Sequence, residues 1–165
     1  MRHTLSVLVL NNRGVLSRVS GLFARRGFNI ESLSVSTTDR KDISRMTIVV
    51  EGDEDIIEQV TKQLHKLVEV IKINNITGEE FVDRGMALFK VASDPATRSE
   101  IMQIVDIFRA HILDFCHSSM IIEATGSEQK ILAIEEALKP FGIKEVVRTG
   151  EIAMVRGEKS KNSKK

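Results

Sequence analysis

The sequence predicts an α+β fold of two ferredoxin-like βαββαβ modules. Runs of β-branched and other apolar residues alternate with stretches whose apolar positions recur at helical spacing. The order strand, helix, strand, strand, helix, strand can be read twice along the chain. The large core-forming residues are aliphatic, because the 165 residues include seven Phe and no Trp or Tyr. Ile, Val and Leu suit a sheet with helices laid against it.

The first strand is 4–10, almost continuously apolar, which predicts burial on both faces: one against a helix, the other against another protein surface. A turn at Asn11-Asn12-Arg13-Gly14 leads into a helix with Val15, Leu16, Val19, Leu22 and Phe23 at helical spacing. Arg25-Arg26-Gly27 stops it, two cations over the negative helix end and a glycine able to take the left-handed cap conformation. In the strand 29–36, Leu33 and Val35 alternate with serines, so one side meets a core and the other something polar. The polar run 37–42 is a hairpin loop, and Met46, Ile48 and Val50 alternate along the returning strand. Asp53 caps a second helix with Glu54 and Asp55 in its first turn and a stripe of Ile56, Ile57, Val60, Leu64 and Leu67. The strand 68–76 closes the module.

The second copy is fainter. Its strand is 86–93, its helix starts at Asp94-Pro95 with proline in the first turn, and Ile101, Ile104, Val105 and Phe108 form the stripe. Strands 112–117 and 120–124 follow, then a helix led by Gly126-Ser127, with Ile131, Ile134 and Leu138, that ends at Pro140. The strand 143–148 closes this copy. Gly52-Asp53-Glu54 is echoed by Gly126-Ser127-Glu128, and Phe23-Ala24-Arg25 by Phe108-Arg109-Ala110. The expected division is a first domain at 1–76, a linker at 77–84, a second domain at 85–156 and a basic flexible tail at 157–165.

Several function classes lose support. A net charge of +1 gives no reason to expect nucleic acid. No apolar run approaches a bilayer span and no secretory h-region opens the chain, so no membrane is expected and the location is cytoplasmic. The single cysteine, Cys116, forms no internal disulfide. His111, Cys116 and His117 are the nearest approach to a metal cluster, but a strand points Cys116 and His117 to opposite faces, and no metal site is predicted. Four scattered histidines fix no meeting of nucleophile, base and carboxylate, so no catalytic residue is assigned.

The turn at 11–14 carries more information. A helix amino terminus offers unpaired N–H groups and partial positive charge, and a glycine there lets a carboxylate approach the backbone. Asn11 at the exit of the first strand and Asn29 at the start of the next could together hold the ammonium and carboxylate of an amino acid. The same residues also suit a plain turn and cap. The second copy has Ser93-Asp94-Pro95 at this place, so a small-molecule site belongs to the first half.

Leu16-Ser17-Arg18-Val19, the continuous stretch 22–33, Ser44-Arg45-Met46-Thr47-Ile48, the stretch 62–67 and Arg148-Thr149-Gly150 occur in an order that closely resembles the small, regulatory subunits of acetolactate synthase, also called acetohydroxyacid synthase. The resemblance implies that the first module is an ACT domain. It implies a chain without chemistry of its own that activates a large catalytic subunit and confers feedback inhibition by a branched-chain amino acid, commonly valine. Thiamine diphosphate, Mg and FAD would belong to that partner, with no cofactor on this chain. The effector would sit between the ACT domains of a homodimer, and the family's contacts fall on Asn11, Gly14, Val15, Leu16, Asn29 and Ile30. Val15, Leu16 and Ile30 would form an apolar wall for an aliphatic side chain. Arg18, Arg25 and Arg26, on the first helix, are the expected contact to the large subunit. The alternative is a free-standing amino-acid- or metal-responsive regulator built from the same modules, for which the sequence shows no DNA-binding segment.

Overall fold

In a computed structural model of the chain the described residues are 1–157, so the expected basic tail falls outside them save for Gly157. The chain forms two compact units, one of Met1–Val82 together with the chain from Ala153, the other of Asp83–Ile152.

In the first unit the elements are β1 (Arg2–Leu10), α1 (Val15–Arg25), β2 (Ile30–Thr37), β3 (Ile43–Glu51), α2 (Glu54–Leu64) and β4 (Val70–Asn75). The sheet order is β2-β3-β1-β4 with every pairing antiparallel, the interleaved order of a ferredoxin-like module. Leu5, Val7 and Val9 point to the helix side and are fully buried against Val15, Val19, Leu22 and Phe23 of α1 and Ile57, Val60 and Leu64 of α2. The alternate residues Ser6, Leu8 and Leu10 are only half-buried, which corrects the expectation that both faces of β1 are closed. Part of the second face is closed by the chain itself. Thr4, Thr47 and Val49 are buried there, and the Thr4 N–H donates 3.0 Å to the Thr77 hydroxyl as the chain leaves β4.

Local chemistry fixes the helix ends. The Asp53 side chain accepts 2.9 Å from the Ile56 N–H at the start of α2. At the end of α1 Gly27 takes φ 71°, and the Phe28 N–H closes the turn on the Phe23 carbonyl at 3.0 Å.

The second unit repeats the plan. It holds β5 (Phe81–Ala92) from Asp83 onward, α3 (Arg98–Ile107), β6 (His111–Phe115), β7 (Ser119–Gly126), α4 (Glu128–Leu138), a 3-10 turn at Lys139–Phe141 and β8 (Ile143–Arg148). The order β6-β7-β5-β8 matches that of the first sheet. Phe89, Met120, Ile122, Ile101, Ile134 and Leu138 form its core. A further strand, β9 (Ile152–Val155), pairs with β5.

Several boundaries differ from the sequence reading, among them the end of α2 at Leu64, which leaves Leu67 beyond the helix though still packed on the core. β5 begins at Phe81, inside the stretch read as a linker, because Phe81-Val82 extends it past the charged pair Asp83-Arg84. β9 falls after the strand expected to close the second copy, and the chain from Ala153 joins the first unit. α3 starts at Arg98, beyond Pro95. The Asp94 carboxylate accepts from the N–H groups of Ala96 and Thr97 at 2.8 and 2.9 Å, holding a separate turn ahead of the helix.

Asp53→Ala removes a cap made by one side chain and lowers unfolding free energy by about 1 kcal/mol, read as a lower urea midpoint at unchanged slope. The backbone N–H groups of Thr97 and Ala96 hold the Asp94 carboxyl below its usual value. Its contribution to the turn is therefore present above the unfolded aspartate range and lost as pH falls through the lower folded value. Amide exchange at Ala96 and Thr97 should quicken over that acidic interval and lose this dependence in Asp94→Asn.

Candidate effector site

The amino end of α1 is built unlike those of the other helices. Gly14 precedes it at φ 80°, no side chain caps it and no acidic residue lies in its first turn. α2 and α4 are capped by Asp53 and Ser127 and carry acidic first turns, and α3 has Glu100. Among the described α-helices α1 alone starts with neither a side-chain cap nor an acid; its Val15 N–H makes only a long 3.4 Å bond to the Asn12 carbonyl, and the partial positive charge of this end stays open to an anion. Arg18 adds positive charge, offset by Glu69 at 2.7 Å.

The turn before it is held firmly. The Asn11 N–H donates 2.8 Å to the Asp42 carbonyl and the Asn11 side-chain amide donates 2.9 Å to the Lys41 carbonyl. The hairpin between β2 and β3 therefore clamps the loop, and the acceptor oxygen is the end of Asn11 left for a ligand.

Asn11, Gly14, Leu16 and Asn29 are exposed, and Ile30 is half-buried. Val15 is 4% exposed, with its side chain in the core, so it can offer a ligand only its backbone. That corrects its assignment to an apolar wall, where Leu16 and Ile30 remain.

Strand register separates the two asparagines. Leu10 pairs with Ile43 at one end of β3, and Ile30 pairs with Val50 near the other end. Seven steps along the strand separate Ile43 from Val50, roughly 23 Å. The expectation that Asn11 and Asn29 of one chain could lie side by side is overturned: α1 carries the chain the length of the sheet between them. Sequence spacing gave no sign of this, since either a short or a long path could join the two turns.

Arg18 is occupied by Glu69, while Arg25 and Arg26 are exposed. Among the described residues no three His, Cys, Asp or Glu side chains form a metal-holding group. No helix among them is long and apolar enough to cross a membrane.

The first unit has the ferredoxin-like fold of an ACT domain, a class of regulatory module. Residues 5–72 match the model for the acetohydroxyacid synthase small subunit-like ACT domain, and residues 84–157 match that for the small subunit of acetolactate synthase. A relative named "Probable acetolactate synthase small subunit" from Archaeoglobus fulgidus is 56% identical over 96% of this chain and 99% of its own length. The acetolactate synthase small subunit of Bacillus subtilis is 46% identical over 99% of this chain and 95% of its own. The crystal structure of that subunit from Thermotoga maritima superposes with a TM-score of 0.87 at 42% identity, covering 96% of this chain and 99% of that one. The chain belongs to the family of acetolactate synthase small, regulatory subunits.

The residues first considered for a metal do something else. His111 lies 3.5 Å from Glu123, and β6 ends at Phe115, leaving Cys116 and His117 in a turn where the Cys116 N–H donates to Ser119. The Cys116 thiol donates 3.3 Å to the Asp114 carboxylate, and that bond and charge push its pKa upward. Alkylation of Cys116 at neutral pH should therefore be slower than that of a free cysteine, despite its exposure. Asp114→Asn should move the pH–rate midpoint down, as followed by iodoacetamide labelling and mass spectrometry.

Proposed function

We propose that this chain forms a homodimer through its first unit and binds a branched-chain amino acid, with valine the leading candidate, at two equivalent seams. Through those seams it governs the activity of a separate acetolactate synthase catalytic subunit. The open, acid-free start of α1 carries the reading. It suits the effector carboxylate, while the Asn11 oxygen and the Asn29 amide suit the ammonium and carboxylate ends. Leu16 and Ile30 supply apolar surface for an aliphatic side chain.

The separation of Asn11 from Asn29 supports a site shared between chains. β2 is an edge of the first sheet, with Val35 42% exposed. Antiparallel pairing of β2 with its twin would continue the sheet across a two-fold axis. It would carry the Asn29 end of one chain to the Asn11 end of the other, so each of two sites takes half its contacts from each protomer.

Regulation then follows from linkage. The free small subunit activates the catalytic subunit, and valine inhibits by binding better to the arrangement that disfavours catalysis. Thiamine diphosphate, Mg and FAD serve on the catalytic partner, with the pair working in the cytoplasm. The exposed Arg25 and Arg26 are the proposed contact to that partner.

Calorimetry with valine, leucine and isoleucine tests the reading. Wild type should bind at least one of them, and Asn11→Ala or Asn29→Ala should each weaken it by about 10-fold or more, as expected when a hydrogen bond to a charged group is lost. Equal affinity in all three proteins, or no binding by wild type, would overturn it.

A further inference from the structure

The second face of the first sheet carries a feature the effector seam does not use. A cleft of about 260 Å³ is lined by Ser6, Leu8, Arg45, Lys72 and Asn74, with Ile76 and the β9 residues Ala153, Met154 and Val155 closing it. All of these belong to the first unit. Leu8 pairs with Arg45 on one side and with Lys72 on the other, so the two cations share its face of the sheet. Their backbones stand two strand spacings apart, about 10 Å, within reach of one small ligand held between long side chains.

The strand register is built to put Lys72 there. Val70 and Ile73 both pack on the core, three residues apart, which a regular strand forbids. A register shift between Leu8 and Val9 leaves Ile71 as the extra residue, half exposed, and reverses the alternation. Lys72, Asn74 and Ile76 thereby face the cleft.

No carboxylate lines the cleft, and neither Arg45 nor Lys72 makes an ion pair among the described residues. Ser6 and Asn74 add neutral donors, and Leu8, Ile76 and Met154 add apolar surface. We propose that this cleft is a second small-molecule site, for a compact dianion carrying phosphate or paired carboxylates. Two separated cations favour a ligand with two charged ends or a divalent one over a monoanion. At about 260 Å³ the cleft lies just below the usual range of small-molecule sites, which suits a compact ligand. The site is independent of the effector seam, which lies at the ends of α1.

Isothermal titration of the full chain with inorganic pyrophosphate and, separately, succinate at low ionic strength tests it. Wild type should bind at least one probe; the one it prefers distinguishes a phosphate ligand from a dicarboxylate. The double variant R45Q/K72Q should bind at least 10-fold more weakly and K72Q alone several-fold more weakly, while K62Q/K66Q, at the end of α2 and in the turn after it, should match wild type. Both cleft cations are exposed residues, and a thermal melt confirms that each variant is folded; if the double variant is not, K72Q decides. Failure of wild type to bind either probe, or equal weakening in K62Q/K66Q, would overturn the proposal.

Discussion

The antiparallel pairing of β1 with β3, continuous from Arg2 opposite Glu51 to Leu10 opposite Ile43, constrains everything else in the first unit. It places the central apolar row of Leu5, Val7 and Val9 under both helices, where each large buried side chain contributes roughly 1.5–3 kcal/mol. It also sends the chain off the sheet at Leu10, and α1 must then run back along the sheet to start β2 at the opposite end. The two polar turns are pinned apart by the same pairing that makes the core. Loosening that pairing to bring them together within one chain would cost the core itself.

A helix start with no cap is energetically incomplete, because a side-chain cap is commonly worth about 1 kcal/mol. α2 and α4 take that stabilisation from Asp53 and Ser127. α1 forgoes it, and Gly14 at φ 80° lets the backbone turn so that of the helix-start N–H groups only that of Val15 is engaged, at 3.4 Å from the Asn12 carbonyl. The loop is nonetheless held in place by the two Asn11 hydrogen bonds to the hairpin. The result is an electropositive backbone site whose geometry is set before any ligand arrives, and a preorganised site spends less binding energy on ordering.

Much of this fold was legible in the sequence because its signals are local. Helical stripes, the Asp53 cap, the Arg25-Arg26-Gly27 stop and the alternation along β3 each follow from residues within one element. What escaped depends on distant partners. β9 is four residues long, too short for alternation to declare it, and its place is set by pairing with β5. The bulge at Ile71 is visible only in the register of β4 against β1. The start of α3 slipped from Pro95 to Arg98 because Asp94 satisfied the intervening N–H groups with its own side chain. At the site, the open helix end was readable from Asn11 to Gly14, whereas the burial of Val15 and the distance to Asn29 came from packing and register.

The shared site is tested most directly by mixing Asn11→Ala and Asn29→Ala chains, allowing subunits to exchange and counting tight valine sites by titration. If each site takes Asn11 from one chain and Asn29 from the other, a mixed dimer contains one doubly altered site and one intact site. Random exchange then restores about one site in four to wild-type affinity. If both asparagines of a site came from a single chain, no combination would contain an intact site, and a mixture showing no recovery would contradict the account.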